Sequence, residues 1–304
     1  MHEEPESKNA ILLAMFGTSF EPALAGLLNI RDKMIERFPG TAVRMAFTSN
    51  IIRRIWQQRA ADREYIRSHP QIPDDVLRVR GPLAAIACLQ EEGFHTIVVQ
   101  AVHIAPAAEY TDLCSCVAGL ASISTTMPGK RLFRHLVVGR PALGAFDSRY
   151  SYQDDLKTAA RCLAADVALA AREKAGLVYF GHGSNSPSAV NIYHEFAVEM
   201  RRQYPETPIV VITLAGKLSG SRAFDELREY NVHKVLLKPF LIAAGGHVVK
   251  DMMGGHPESL NQRLGQAGFV VHPLFHGLGE QDEFARIFVQ HAADAAGDAA
   301  IDLR

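Results

Sequence analysis

The sequence has little cysteine and no excess of charge of either sign. Its 304 residues include four cysteines, 32 Lys or Arg and 33 Asp or Glu, which gives a formal net charge of -1. This balance argues against a protein whose whole surface binds nucleic acid or an anionic membrane. Four scattered cysteines are too few for a disulfide framework. Cys114 and Cys116 are close enough to grip a soft metal, but no second pair completes such a site, so we interpret them as thiols packed in a helix.

Long hydrophobic runs are also missing. Apolar stretches that are free of formal charge, such as residues 10–16 and 96–108, fall short of the roughly 20 apolar residues that cross a bilayer, so no transmembrane helix is predicted. The first nine residues are polar and acidic, and the apolar stretch after them is too short for a signal peptide. We therefore expect a cytoplasmic protein, although a periplasmic form whose leader has been removed would have the same sequence.

Short, β-branched apolar runs recur along the chain and alternate with longer amphipathic stretches. This pattern is typical of βα units with buried parallel strands. The predicted strands are residues 9–15, 42–47, 96–102, 133–138, 176–180, 209–213, 234–240 and 269–273.

The chain also repeats itself. Phe16-Gly-Thr-Ser19 follows the first strand of one half, Phe180-Gly-His-Gly183 follows the first strand of the other, and residues 94–109 align with residues 232–247. An internal repeat of this kind must be recognised before a fold is assigned. We predict an α/β protein of two similar Rossmann-like lobes, residues 1–145 and 146–304, each a four-stranded parallel sheet flanked by helices.

Two histidines stand out from the other eleven because of their position. His182 and His247 each end a buried-strand pattern among glycines, where the backbone turns tightly and the imidazole is unshielded. In open parallel sheets, ligands bind outside the carboxyl ends of the strands, and a cleft between two lobes favours a pocket. The pair therefore suggests a discontinuous metal site, with capping or hydrogen-bonded loop histidines as the alternative.

A local basic segment lies inside the neutral chain. Residues 44–80 hold eight arginines and four acidic residues, and arginine forks suit carboxylates and phosphates. Arg53 and Arg54, just after a strand end, are the best placed for ligand contact, whereas the later arginines fit a solvated helix face. Trp56 in the same segment fits either the core or a pocket wall. The run Gly181-His-Gly-Ser184 matches neither a P-loop nor a nucleophile elbow, and Ser184 suits a helix N-cap.

Six motifs together carry a family resemblance. They are Met15-Phe-Gly-Thr-Ser-Phe-Glu-Pro-Ala23, Phe47-Thr-Ser-Asn-Ile-Ile-Arg-Arg54, Val102-His-Ile-Ala-Pro-Ala-Ala-Glu-Tyr110, Phe180-Gly-His-Gly183, Pro239-Phe-Leu-Ile-Ala-Ala-Gly-Gly-His247 and Gly277-Leu-Gly-Glu280. In this order, over nearly the whole chain, they resemble the sirohydrochlorin cobaltochelatases of the anaerobic cobalamin pathway, which are class II chelatases related to ferrochelatase. The resemblance implies two α/β lobes with a tetrapyrrole in the cleft. It also implies insertion of Co²⁺, with Fe²⁺ often accepted.

The resemblance also assigns roles to residues, and here the sequence departs from the family. The family's two metal-binding histidines fall on His182 and His247, but its third metal-site residue, a glutamate, is replaced by Ala215. Gly246 and Lys250 are further departures, in the loop around His247. A carboxylate would hold the divalent ion by charge and accept pyrrole protons. In the absence of that glutamate, Glu109 is the candidate to accept the pyrrole protons.

The resulting hypothesis is an enzyme for cobalamin or sirohaem biosynthesis, with a divalent metal as substrate (Co²⁺, or Fe²⁺ or Ni²⁺) and no organic cofactor. The expected binding partner is the tetrapyrrole substrate, sirohydrochlorin or a precorrin. Binding to nucleic acid or to a membrane is not expected, and the sequence does not decide whether the protein forms a homo-oligomer. A non-catalytic homologue that carries a tetrapyrrole or metal is the alternative, because of Ala215. The catalytic candidates are His182 and Glu109, and the substrate-binding candidates are Gly17, Thr18, Ser19, Arg53, Arg54, His103, Tyr110, Gly183 and Ser184.

Overall fold

A computed structural model describes residues 8–124, 131–146, 148–215 and 220–304. The strands are β1 (Lys8–Met15), β2 (Ala42–Phe47), β3 (Phe94–Val102), β4 (His135–Gly139), β5 (Gly176–Gly183), β6 (Ile209–Ala215), β7 (Lys234–Phe240) and β8 (Val270–Pro273). The helices of the first half are α1 (Leu24–Arg37), α2 (Asn50–Ala61), α3 (Arg63–Ser68), α4 (Asp74–Leu77), α5 (Pro82–Glu91) and α6 (Ala108–Ala121). Those that follow are α7 (Tyr152–Cys162), α8 (Ala164–Arg172), α9 (Pro187–Gln203), α10 (Gly220–Glu229), α11 (Leu260–Gln266) and α12 (Asp282–Asp298).

Within the described ranges, the strands form two four-stranded parallel sheets of the same topology. Their orders are β2-β1-β3-β4 and β6-β5-β7-β8, so the second half repeats the first strand for strand. The central strands β1, β3, β5 and β7 are almost wholly buried because helices cover both faces of each sheet. The α/β class and the paired four-stranded sheets predicted from the sequence are confirmed.

The core joins the two halves on one side of the sheets. A single apolar cluster runs from Ile11 and Trp56 in the first half to Phe196, Phe240 and Phe288 in the second. Smaller clusters cover the opposite faces of the two sheets separately. Helix α12, the last of the chain, packs against α1, β3 and β4. The halves are therefore held together by shared apolar burial, the dominant favourable term in folding.

Buried ion pairs reinforce this arrangement. Arg140, just after β4, donates to both carboxylate oxygens of Asp155 on α7, at 2.7 and 2.9 Å, and to Asp294 on α12 at 2.7 Å. Lys238 on β7 donates to Asp166 on α8 at 2.6 Å, and the Tyr179 hydroxyl donates to the same carboxylate at 2.9 Å. Because a buried charge without its partner is costly, these pairs fix how the helices sit on the sheets.

Strands β5 and β6 run further than the sequence predicted. Expected to end at Phe180 and Thr213, they continue to Gly183 and Ala215 because Gly183 pairs with Ala215 across the ladder. His182 consequently lies on the end of a strand instead of in a following loop. The two thiols predicted to pack in a helix, Cys114 and Cys116, are half-buried and free on α6.

Candidate active site

The loops after the strands of both halves meet at one place. A Cβ added at Gly245, in the loop after β7, would lie 3.0 Å from the Thr18 Oγ1, in the loop after β1. Tyr193 on α9 of the second half is close enough to Glu109 on α6 of the first for the carboxylate to act on its phenol, and burial and this charge raise the pKa of Tyr193. The strand ends of both sheets therefore border a common region.

His182 and His247 come together in this region. Their rings stand edge to face, with centroids 5.1 Å apart and planes at 86°. His182 is exposed at the end of β5, and 52% of the His247 side chain is exposed. Two accessible imidazoles at this separation offer nitrogen ligands to one divalent metal ion.

Position 215 on the neighbouring strand, where the family resemblance expects a glutamate, carries an alanine. Ala215 pairs with Gly183, which follows His182 directly, and its methyl group offers no ligand. Gly183 has a φ of +70°, and a Cβ there would collide with the Ala215 carbonyl, so the backbone passes too closely for another residue. In the part of the chain that the structure describes, no group of three or more His, Cys, Asp or Glu is arranged to hold a metal. Residues 216–218, which follow β6 directly, lie outside the described ranges.

Asp251 is a site residue that the sequence did not predict. It lies in a one-turn π-helix, Val248–Met252, and its Oδ2 is 2.6 Å from the His247 Nδ1. The spacing of four residues between a histidine and a following acid is the signal that would have found it, because positions i and i+4 face each other on a helix.

The loop after β1 is held from within. Gly17 has a φ of +93°, and a Cβ there would collide with the Phe47 ring. Thr18 is buried, its Oγ1 accepts a hydrogen bond from the Phe20 amide at 3.1 Å, and its carbonyl accepts from the Trp56 Nε1 at 2.8 Å. The Thr18 hydroxyl is thus directed into the protein, and its contribution to a ligand site is the shape of the turn.

Trp56 and Arg59 support the same loop. Trp56 is fully buried, which resolves the two interpretations of the sequence in favour of the core. The Arg59 guanidinium stacks on Trp56, 4.6 Å from the ring centroid, and donates to the Ser19 carbonyl at 2.8 Å. Ser19 itself is half-buried, with its carbonyl engaged in this way.

The two predicted ligand-binding arginines differ in their surroundings. Arg53 donates to the carbonyl oxygens of Phe47 and Thr48, the latter at 2.9 Å, and to the side chain of Asn50. It lines a cavity of about 290 Å³ together with Glu109. Arg54 is exposed on α2 and does not line this cavity. The structure therefore brings Arg53 and Glu109 together and leaves Arg54 apart.

His103 and Glu109 lie at the start of the segment after β3. Both ring nitrogens of His103 are buried, and neither has a hydrogen-bond partner among the described residues. Burial lowers the pKa of His103 to about 4, partly offset by the nearby Glu109 carboxylate. The imidazole is therefore neutral at physiological pH. Glu109 is exposed in the first turn of α6.

Tyr110 and Ser184, the remaining candidates, have different settings. Tyr110 is half-buried and lines a second cavity, of about 590 Å³, whose walls also include Arg140 and Arg149. The Ser184 Oγ accepts a hydrogen bond from the Ser186 amide at 3.1 Å. Ser184 thus forms the turn before α9, and Ser186 occupies the N-cap that the sequence assigned to Ser184.

The sequence of this chain is similar to those of known proteins over most of its length. The family model described as cobalt chelatase (CbiK) matches residues 9–297. The chain is 32% identical to a protein of Nitratidesulfovibrio vulgaris named sirohydrochlorin cobaltochelatase CbiKC, over 96% of this chain and 92% of that protein. It is 24% identical to the sirohydrochlorin cobaltochelatase of Salmonella typhimurium, over 95% of this chain and 96% of that protein.

Solved structures agree on the fold. SirB from Bacillus subtilis with Fe³⁺ superimposes with a TM-score of 0.59 at 13% identity, over 98% of this chain and all of that one. The sirohydrochlorin chelatase SirB from Bacillus subtilis subspecies spizizenii, in complex with cobalt, gives a TM-score of 0.56 at 11% identity, with the same coverage. At such identities the likeness concerns the fold alone. Across the described residues, no helix is long and apolar enough to cross a membrane.

Proposed function

Because the chain belongs to the cobalt chelatase (CbiK) family, we propose that it is a sirohydrochlorin cobaltochelatase, an enzyme that inserts Co²⁺ into the tetrapyrrole sirohydrochlorin. The observation that carries this proposal is the pair of accessible imidazoles, His182 and His247, at 5.1 Å. They lie where the strand ends of both halves meet, and this is the place at which open parallel sheets bind their ligands. Both relatives named above carry the same activity in their names.

In this proposal the two histidines present the metal. Each neutral imidazole donates one nitrogen lone pair to the incoming ion, and the ion keeps its other positions for water and then for the pyrrole nitrogens. Since neither ligand carries charge, the ion is held weakly enough to be transferred. This suits a metal that is a substrate and leaves with the product.

The tetrapyrrole loses two N–H protons as the metal enters, so a proton acceptor has to lie beside it. The Glu109 carboxylate lies near the phenol of Tyr193, in the second half of the chain. This phenol is also hydrogen-bonded to the backbone of Gly183, the residue after His182. We assign Glu109 the role of acceptor, because a carboxylate positioned at the reacting group supplies general-base catalysis of about 10²- to 10⁴-fold. His182 is the second candidate for this role.

Peripheral carboxylates of the substrate need positive charge and amide donors. Arg53, which lines the cavity shared with Glu109, is assigned to this contact, and the backbone amides of the turns at Gly17 and Gly183 are assigned as the amide donors. Arg54 and Tyr110, on the helices α2 and α6 that follow β2 and β3, are assigned to the outer part of the substrate. The ring nitrogens of His103 are buried, so this side chain is assigned no such contact.

The test is to mix purified protein with sirohydrochlorin and Co²⁺ and to follow the absorbance change of the macrocycle against the spontaneous rate. We expect acceleration with the native chain and its loss in His182→Ala and His247→Ala. Parallel reactions with Fe²⁺ and Ni²⁺ decide the metal, since affinity at a two-histidine site follows the Irving–Williams order and does not by itself select cobalt. Absence of acceleration at every pH between about 6 and 9, where imidazoles change charge, overturns the proposal.

A further inference from the structure

The carboxylate of Asp251 lies in direct contact with a proposed metal ligand. Its Oδ2 lies 2.6 Å from the His247 Nδ1, and 25% of its side chain is exposed against 52% for His247. The aspartate is thus the more enclosed partner and the imidazole the more accessible one. Both belong to the loop after β7 and its one-turn π-helix, Val248–Met252, a type of turn that is frequent at functional sites.

The contact decides which nitrogen of His247 is available. A carboxylate oxygen only accepts hydrogen bonds, so the Nδ1 of His247 must carry the proton that it donates to Asp251. In the neutral ring the lone pair is then on Nε2. His182 stands edge to face with this ring, so one fixed tautomer sets where the second nitrogen ligand can be offered.

The charge of Asp251 also bears on the missing ligand. Ala215, which pairs with Gly183 across the ladder, has no carboxylate to offer the metal. A carboxylate hydrogen-bonded to a metal-ligating histidine orients the ring and raises its basicity, and loss of such a partner typically costs about 10- to 100-fold in metal affinity. In this chain that charge reaches the metal site through the His247 ring.

We propose that Asp251 is a positioning residue for the metal substrate: it fixes His247 with Nε2 free and supplies, through the ring, negative charge that Ala215 does not. This inference rests on the proposed function, because it takes His247 as a Co²⁺ ligand.

The experiment measures Co²⁺ binding to the full-length protein without tetrapyrrole, by isothermal titration and by the visible absorption bands of bound Co²⁺. We expect Asp251→Ala to weaken binding by about 10- to 100-fold and to change the absorption bands. Asp251→Asn keeps an acceptor for Nδ1 without the charge, so we expect a smaller loss. His276→Ala is the matched control, because His276 has the same arrangement with Glu280, Nδ1 to Oε2 at 3.0 Å, outside the proposed site.

His247→Ala separates the two hypotheses. If it abolishes Co²⁺ binding while both Asp251 variants bind as the native chain does, the role of Asp251 is overturned and the proposed metal site stands. If His247→Ala itself binds normally, the metal site of the proposed function is wrong. Thermal unfolding of each variant shows that it is folded, and a lowered melting temperature with native affinity makes Asp251 merely structural and also overturns its positioning role.

Discussion

Gly183 and Ala215 face each other across the ladder between β5 and β6, one residue beyond His182. The backbones approach closely here, because Gly183 is left-handed and a Cβ on it would collide with the Ala215 carbonyl. The Thr213 hydroxyl donates to the same carbonyl at 2.8 Å. The position at which the family resemblance expects a glutamate is therefore fixed by the ladder, and its side chain here is a methyl group.

We predict that Ala215→Glu strengthens Co²⁺ binding by about tenfold or more and speeds insertion. The physical reason is that opposite charges about 4 Å apart attract by about 4 kcal/mol per pair of unit charges at an effective dielectric constant of 20, before the cost of desolvation. Titration with Co²⁺ and the insertion assay measure the two effects. Ala215→Gln is the control, because glutamine has the size of glutamate without its charge, and this variant should bind Co²⁺ as the native chain does.

An unchanged affinity in Ala215→Glu would mean that the carboxylate is dispensable at this site. Tighter Co²⁺ binding with slower insertion is a different result, since it would show that the ion is retained too strongly to be transferred. The outcome thus distinguishes a site that lacks a ligand from one suited to release.

Glu109→Gln tests proton transfer independently of metal binding. If Glu109 accepts a pyrrole proton, the variant should lower kcat by about 10²-fold or more, while Co²⁺ affinity without the tetrapyrrole stays native. Glu92→Gln, which neutralises an exposed acid beyond the end of α5, should change neither quantity. A loss of Co²⁺ affinity in Glu109→Gln would instead make Glu109 a metal ligand.

The sequence predicted the two sheets and the histidine pair because both follow from local pattern: buried strands read as apolar runs, and tight turns at their ends read as glycine. It did not predict Asp251, because the spacing of four residues from His247 indicates a contact only if the segment after β7 is helical, and glycine-rich residues 244–247 indicate a loop. Nor did it separate Arg53 from Arg54, which are adjacent in the chain. Which of them turns toward Thr48 and which toward solvent depends on the angle at which α2 leaves β2, and this is a tertiary property.

Arg53 and Arg54 should accordingly respond differently to substitution. Arg53→Ala removes hydrogen bonds to two strand-end carbonyls, so we expect a higher KM for the tetrapyrrole and a stability loss of about 1–3 kcal/mol. Arg54→Ala removes an exposed charge, an interaction worth at most about 1 kcal/mol, so KM should rise no more than about fivefold with native stability. Kinetics and urea unfolding measure both.

Arg53→Lys is the informative companion variant. It keeps the charge without the planar fork that spans two acceptors. A native KM with reduced stability would assign Arg53 to the backbone alone, whereas a raised KM supports contact with substrate carboxylates.

We predict that the stability of the folded protein depends on pH because of the buried His103. Its pKa in the folded protein is about 4 because of burial, against an ordinary value of 6.5. Between these values the unfolded chain binds more protons at this site than the folded one, so stability falls as pH drops from about 6.5 to about 4. The loss is fully developed only below the folded pKa and reaches up to about 3 kcal/mol.

His103→Gln removes this titration and keeps a polar side chain. Urea unfolding at several pH values between 4 and 7 should therefore show a flatter dependence in the variant than in the native chain, whatever its absolute stability. His233→Gln removes an exposed imidazole and serves as the control, with the native slope expected. Parallel pH dependences for His103→Gln and the native chain would show that the buried ring is protonated as readily in the folded protein as in the unfolded chain. Its burial would then impose no cost on the charged form.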